Sequence, residues 1–299
     1  MTDIIIVGGG CAGLTAALYA ARAGKSVLLF EAENIGGQIT AAPVIENYPG
    51  LPGVSGLAFA DSLFTQATDL GVEVEIDRVL AVEDGGDVKT VISEGGRYEC
   101  RAVIFATGAK YRKLGLPREE ELTGHGVSYC ALCDGAFYKG QRAIVIGGGN
   151  TAFGDALFLA SICESVTIVH RRAAFRADLA LVERAKTKDN IEFVTGFVPA
   201  ELLGGKNLEG VRVKSTTTDE SKVIPADVVF VAIGHEPETE LFRELLVTDG
   251  DGYFVAGEDC ATNRTGIFAA GDCRTKTIRQ LTTAAADGSV SAMAALDFV

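Results

Sequence analysis

Apolar runs closed by glycine recur along this chain. Ile4-Ile5-Ile6-Val7 leads into Gly8-Gly9-Gly10, and Ala143-Ile144-Val145-Ile146 leads into Gly147-Gly148-Gly149. A helix-like stretch follows each glycine cluster. A second apolar run follows each helix, Ser26-Val27-Leu28-Leu29-Phe30 in one case and Ser165-Val166-Thr167-Ile168-Val169 in the other. Each series then closes on a similar strand, Val103-Ile104-Phe105-Ala106-Thr107-Gly108 and Val229-Phe230-Val231-Ala232-Ile233-Gly234. Short apolar runs bounded by glycine predict strands, and their alternation with helical stretches predicts doubly wound α/β units.

This echo sets the domain plan. The first nucleotide-binding region is expected over residues 1–112 and the second over residues 113–238, with Pro117 and Pro237 near the crossings. Residues 239–299 are too few for a domain of their own. They hold a strand that ends in a sharp turn, Gly266-Ile267-Phe268-Ala269-Ala270-Gly271-Asp272, and a helical stretch from about Thr282 to Asp297. They are expected to complete the first domain, which makes the second an insertion. The predicted fold is α/β, with two Rossmann-like, three-layer nucleotide-binding domains.

Both glycine clusters have the form of a dinucleotide loop, Gly8-Gly9-Gly10-Cys11-Ala12-Gly13 and Gly147-Gly148-Gly149-Asn150-Thr151-Ala152. Such glycines let the backbone approach a pyrophosphate, which rests on N–H groups at a helix N-terminus. The copies differ where the ribose is read. At the same spacing from the loop, the first has Glu31 and the second has His170-Arg171-Arg172. A carboxylate accepts hydrogen bonds from ribose hydroxyls and repels an added phosphate, whereas paired arginines attract a 2′-phosphate. The first site is therefore expected to take FAD or NAD, and the second NADP.

Length and charge narrow the classes. The 299 residues suit two domains, and 47% apolar content is enough for two cores. A formal charge of −13 repels nucleic acid. No apolar stretch approaches a membrane span, and no basic leader precedes the first strand, so a cytoplasmic location is the expectation. Seven cysteines at irregular spacing argue against a secreted disulfide framework.

Only Cys130 and Cys133 are close in sequence. Two cysteines three apart can form a redox disulfide, supply half of a zinc site, or lie as inert thiols. No second cysteine pair is present, and His125, His170 and His235 are scattered, so no metal is expected. Beside two nucleotide sites, a dithiol completes a path from hydride donor to flavin to disulfide. Asp134 can pass a proton to or from a thiolate if its surroundings raise its pKa; the plainer reading is a turn residue before Gly135.

Further motifs join these: Gly36-Gly37-Gln38, Glu46-Asn47-Tyr48-Pro49-Gly50, Ala106-Thr107-Gly108, Phe175-Arg176, Gly271-Asp272, Arg279-Gln280 and an alanine-rich terminal helix. In order and combination the chain resembles, nearly end to end, the low-molecular-weight, bacterial-type thioredoxin reductases of the class II pyridine nucleotide-disulfide oxidoreductases. The resemblance implies FAD in the first domain, held by the residues matching Gly8, Gly10, Cys11, Ala12, Gly13, Glu31, Gly37, Gln38, Asn47, Ala106, Thr107, Gly108, Gly271, Asp272, Arg279 and Gln280. It implies NADPH in the second, with Gly147, Gly149, Asn150, Thr151, Ala152, His170, Ile233 and Gly234 around it and Arg171, Arg172 and Arg176 about its 2′-phosphate. It further implies that Cys133 faces the flavin, that Cys130 exchanges with thioredoxin or a thioredoxin-like protein, and that Asp134 acts as acid–base. A homodimer and a rotation of one domain against the other belong to the same expectation.

The sequence also departs from the family pattern. Gly154 stands where members often carry an acidic residue, although Asp155 keeps the next one, and Leu132 replaces a common threonine. The chain stops soon after the terminal helix, so a separate disulfide partner is expected. Cys11 is read as a small loop residue, and Cys100, Cys163, Cys260 and Cys273 as free and partly buried. Core packing is the expected fate of Phe137 and Tyr138, with partner docking the alternative. His235, at the second crossing, is expected to have a structural or hinge role and not to transfer protons. The competing functions are a ferredoxin-linked reductase, a dithiol oxidase that uses dioxygen, and a non-catalytic flavin-binding or NADP-sensing module.

Overall fold

The glycine-closed apolar runs are strands. The first unit opens with β1 (Thr2–Val7), α1 (Cys11–Arg22) and β2 (Val27–Glu31), then α2 (Gly56–Thr68), β3 (Glu73–Ile76), β4 (Val79–Asp84), β5 (Lys89–Ser93) and β6 (Arg97–Phe105). A parallel sheet forms in the order β3-β2-β1-β6. The first half of β6 also pairs antiparallel with β5, and β5 with β4. The computed structural model describes residues 1–42, 44–51 and 53–299.

The chain leaves this unit through β7 (Ala109–Tyr111). The second unit contains α3 (Glu119–Leu122), β8 (Val127–Ser128), α4 (Ala131–Asp134), β9 (Arg142–Ile146), α5 (Asn150–Leu159), β10 (Ser165–His170), α6 (Leu179–Lys186) and β11 (Ile191–Thr195). It continues through β12 (Phe197–Gly204), β13 (Leu208–Ser215), β14 (Ser221–Pro225) and β15 (Val228–Val231). Its parallel sheet runs β11-β10-β9-β15-β8, and β12-β13-β14 form a separate antiparallel sheet. The chain returns through β16 (His235–Pro237), which pairs with β7. β17 (Ile267–Ala269) then joins β6 in parallel, and α7 (Leu281–Phe298) ends the chain. The compact units are residues 1–110 with 236–299, and residues 111–235.

Each sheet is a middle layer because its strands are apolar on both faces. In β1, Ile4 and Ile6 point into one core with Leu14, Ala16, Ala20, Ala67 and Ala292 of α1, α2 and α7. Ile5 and Val7 point the other way, to Val82 and Val91 of β4 and β5 and to Phe242 and Phe254. The three isoleucines are fully buried, each worth about 1.5–3 kcal/mol over exposure. The second unit repeats the plan. Val145 and Ile168 meet Phe153, Leu157 and Val182 of α5 and α6, while Ile144, Ile146 and Val169 meet Leu202, Val211 and Val213 of the antiparallel sheet. Helices cover one face of each parallel sheet and antiparallel strands the other, which makes up the three layers of the α/β plan. Among the described residues no helix is long and apolar enough to cross a membrane.

Candidate active site

Cys130 follows β8 directly, and α4 is the single helical turn after it. Cys130 and Cys133 are joined as a disulfide, with their Cα atoms 5.3 Å apart. Cys130 is half-buried and Cys133 exposed. Asp134 closes the turn. Its backbone N–H donates to the Cys130 carbonyl at 3.0 Å, and its Oδ2 accepts from Ser128 Oγ at 2.6 Å. The same Ser128 Oγ accepts from the Cys130 N–H at 3.2 Å. One hydroxyl thus ties the carboxyl to the backbone of the redox pair. Burial pushes the Asp134 carboxyl up, and the Ser128 bond only partly offsets it. A protonatable acid beside a disulfide is what proton transfer to a leaving thiolate needs. Ser128 lies outside the Cys-x-x-Cys pattern, and nothing in the sequence singled it out.

The other flank is held by Glu119, which is 2% exposed. Its carboxylate accepts from the N–H groups of Leu114 and Gly115 at 2.7 and 2.8 Å and from Tyr129 Oη at 2.8 Å. Burial, and then Glu119, pushes the Tyr129 phenol up, so it stays a neutral donor. The other five cysteines are free and buried, more deeply than the expected partial burial. Burial pushes Cys11 up to about 11 and both Cys100 and Cys260 up to about 12, which leaves them unreactive thiols.

In the first unit the expected residues gather at the C-terminal ends of β1, β2, β6 and β17. Gly8 has φ +111°, and a Cβ there would overlap the Ala106 carbonyl. Gly9 N–H donates to Glu31 Oε2 at 2.7 Å, which fixes the carboxylate at the end of β2. Helix α1 starts at Gly10 with no side-chain cap and no acidic first-turn residue, and α5 starts at Gly149 in the same way. By contrast, Ser55 caps α2 through the Ala58 N–H at 3.1 Å. Uncapped first-turn donors favour an anion. Two buried side-chain atoms, Thr107 Oγ1 and Asp272 Oδ1, have no hydrogen-bond partner among the described residues. They suit a hydroxyl-bearing ligand, since unpaired buried polar atoms are costly. Burial pushes the Asp272 carboxyl up. Arg279 stacks on the Tyr253 ring at 3.9 Å and donates to the Asp272 carbonyl at 3.4 Å. Asn47 Nδ2 donates to Gln280 Oε1 at 3.2 Å. Gln38 lies exposed on the turn after Gly37.

In the second unit the segment after β10 folds back on the glycine loop. A Cβ on Gly148 would collide with the His170 ring. His170 is 7% exposed; burial, with Arg171, Arg172 and Arg176 nearby, pushes its imidazole down despite the Ala174 carbonyl. The three arginines are exposed. Ile233 and Gly234 follow the end of β15, where Gly147 approaches Ala232. Gly154 lies on an open face of α5, and burial pushes neighbouring Asp155 up to about 7. Phe137 departs from the core-packing expectation. It is 43% exposed, whereas Tyr138 is half-buried and packs edge-on against Phe230. The short turn after Gly135 turns only one of the two rings inward.

Comparison with known proteins agrees with this geometry. A family profile described as "Pyridine nucleotide-disulphide oxidoreductase" matches residues 2–288. A thioredoxin reductase of Listeria monocytogenes is 42% identical over 298 residues, 99% of this chain and 93% of its own. One from Streptomyces coelicolor is 44% identical over 301 residues, 99% of this chain and 94% of its own. The crystal structure of thioredoxin reductase from Streptococcus pyogenes superposes with a TM-score of 0.94 at 39% identity, covering 100% of this chain and 98% of that one. The chain belongs to the pyridine nucleotide-disulphide oxidoreductase family. Within it, the chain is a low-molecular-weight thioredoxin reductase, a flavoprotein oxidoreductase whose redox disulfide is Cys130–Cys133.

Proposed function

We propose that this enzyme moves two electrons from NADPH, through FAD, to the Cys130–Cys133 disulfide and on to the disulfide of thioredoxin or a thioredoxin-like protein. The carrying observation is the disulfide itself, with a half-buried Asp134 linked to it through Ser128. On this reading residues 1–110 with 236–299 hold FAD and residues 111–235 hold NADPH. The uncapped α1, the Glu31 carboxylate and the orphaned Thr107 and Asp272 atoms suit FAD, whose ribityl hydroxyls can both donate and accept. The uncapped α5 and the three exposed arginines suit a nucleotide with a 2′-phosphate.

Bound FAD supplies the carrier between a hydride donor and a disulfide. The chain's own residues do the rest. Opening the disulfide takes two electrons and two protons and leaves two thiols. Protonated Asp134 delivers one proton to the departing sulfur. Cys130 gives up its proton and, as thiolate, attacks one sulfur of the partner's disulfide; the other sulfur departs and takes up a proton. Cys133 then attacks Cys130 in the mixed disulfide, which frees the partner as a dithiol and restores the starting bond. The roles of the two cysteines follow the family resemblance.

A ferredoxin-linked reductase has no use for arginines at the ribose position, and a non-catalytic sensor has no use for an acid-linked disulfide. Anaerobic titration of the flavin with NADPH and with NADH tests the reading. NADPH should bleach the flavin, and NADH poorly. A flavin that dithionite reduces but neither nucleotide bleaches would refute it. Cys130→Ser should abolish thioredoxin turnover while NADPH still bleaches the flavin. The reading includes a homodimer, which sedimentation should show at twice the 31.3 kDa subunit mass.

A further inference from the structure

The arginine segment is held by a device that the motif does not contain. Arg171, Arg172 and Arg176 are exposed, and among the described residues their side chains enter no hydrogen bond or ion pair. Their backbone, in contrast, is fixed. The N–H groups of Arg176 and Ala177 both donate to the Gly148 carbonyl, at 2.8 and 3.1 Å. Phe175 packs edge-on against Phe153 of α5, with ring centroids 4.9 Å apart. The last restraint is reciprocal. Asp178 N–H donates to Asn150 Oδ1 at 2.8 Å, and Asn150 Nδ2 donates back to Asp178 Oδ2 at 3.0 Å.

Two features single out this pair. Asp178 is the N-cap of α6, where an aspartate ordinarily turns its carboxylate onto its own helix. Helix α6 has no such side-chain bond. The carboxylate reaches across 28 positions to Asn150 instead. A residue that forgoes its local stabilisation for a distant contact marks a constraint imposed from elsewhere. Asn150, for its part, opens α5 from within the glycine loop, and both ends of its carboxamide are engaged by Asp178. Its side chain is thus a clamp in this arrangement.

We propose that Asn150 and Asp178 are positioning residues for nucleotide choice: their reciprocal pair locks the arginine segment onto the glycine loop in the register that reads a ribose 2′-phosphate. This deepens the NADPH reading and rests on it. The clamp and simple electrostatics predict opposite signs. Removing a carboxylate near an anion site should tighten anion binding if charge alone matters. Removing a clamp should weaken it.

Calorimetry on the FAD-loaded enzyme separates the two, with adenosine 2′,5′-bisphosphate and adenosine 5′-monophosphate as probes. Asp178→Ala should weaken the bisphosphate about tenfold, the scale of losing hydrogen bonds to a charged partner, and weaken the monophosphate far less. The ratio of kcat/KM for NADPH over NADH should fall by the same factor, through KM. Asp178→Asn keeps an acceptor oxygen for Asn150 and sheds the charge, so it should bind the bisphosphate at least as tightly as the parent enzyme. Asn150→Ala tests the clamp from the other side, and the double alanine variant should lose little more than either single one. Equal weakening of both probes, or undiminished bisphosphate binding in Asp178→Ala and Asn150→Ala, overturns the proposal. A parent enzyme that binds both probes alike would overturn the NADPH reading first, and the clamp's role with it.

Discussion

Replacing Asp287 should cost more stability than any exposed ion pair in the first unit. Asp287 lies on α7 and is 6% exposed. Its Oδ1 accepts from Arg274 Nη2 at 2.7 Å, and its Oδ2 accepts from Arg274 Nε at 2.8 Å, Lys276 Nζ at 2.9 Å and Gly271 N–H at 2.9 Å. Both cations are as buried as the carboxylate, with side chains 9% and 8% exposed. Burial alone pushes the Asp287 carboxyl up, but its bonds to Arg274 and Lys276 outweigh that and hold it below the ordinary carboxylate range. Asp287→Ala leaves two buried cations without a counter-charge and the Gly271 N–H without an acceptor. Breaking such a pair from one side costs about 3–5 kcal/mol. At about 2–4 °C per kcal/mol for a chain of this size, the melting point should fall by about 6–20 °C. Circular dichroism is the suitable probe, since the chain has no tryptophan. The Arg97–Glu83 pair is the control. At 2.6 Å it is just as close, but its side chains are 59% and 57% exposed, so Glu83→Ala should cost at most about 1 kcal/mol. The sign with pH follows from the depressed carboxyl. Its contribution is whole above the ordinary carboxylate pKa and is lost as pH falls through the lower folded value. The gap between Asp287→Ala and the parent should therefore close in acid. An Asp287→Ala melt within about 2 °C of the Glu83→Ala melt at neutral pH would refute the burial argument. The same anchor holds the Gly271 turn that carries Asp272, so the variant should also release FAD more readily.

Four further outcomes follow from single contacts. On the proposed mechanism Asp134 serves as an acid while protonated, so thioredoxin turnover should decline as pH rises through its raised pKa. Asp134→Asn should flatten that limb and slow turnover about 10²–10⁴-fold in a steady-state pH series. Ser128→Ala removes a bond that holds the Asp134 pKa down, so the same limb should move to higher pH; an unmoved limb would disconnect the two residues. Asp155 is neutral in the fold until about pH 7 but ionises near 3.8 when unfolded, so it takes away stability as pH rises between those values. Asp155→Asn should then melt higher than the parent at pH 8, and the gain should vanish near pH 4. Gly148→Ala drives a methyl group into the His170 ring and should abolish NADPH bleaching while dithionite still reduces the flavin.

What the sequence disclosed and what it withheld have a common physical basis. Glycine loops, apolar strands and a Cys-x-x-Cys turn are local, since each is dictated by neighbours a few positions away. Strand–turn–helix geometry at Gly8 and Gly147 could therefore be read directly. The antiparallel layers could not, because polar or charged residues break up the apolar positions of β5 and β12 to β14: Lys89, Thr90 and Ser93 in β5, Glu201 in β12, Glu209, Arg212 and Lys214 in β13, and Ser221 and Lys222 in β14. The compact units divide at residues 110/111 and 235/236, two and three residues before the bounds read from the sequence.

The residues that hold the site in place were hidden for the same reason. Asp178 reaches back 28 positions, Arg274 reaches 13, and Ser128 serves a carboxyl six residues on through a bond that only the turn of α4 creates. In each case a generic residue takes its role from a partner distant in sequence, and no motif records the pairing. The chemistry of this enzyme is thus written locally, while its precision is written in long-range polar contacts. Substitutions at Ser128, Asp178 and Asp287 should accordingly change pH profile, nucleotide choice and flavin retention one at a time, with both glycine loops and the cysteine pair intact.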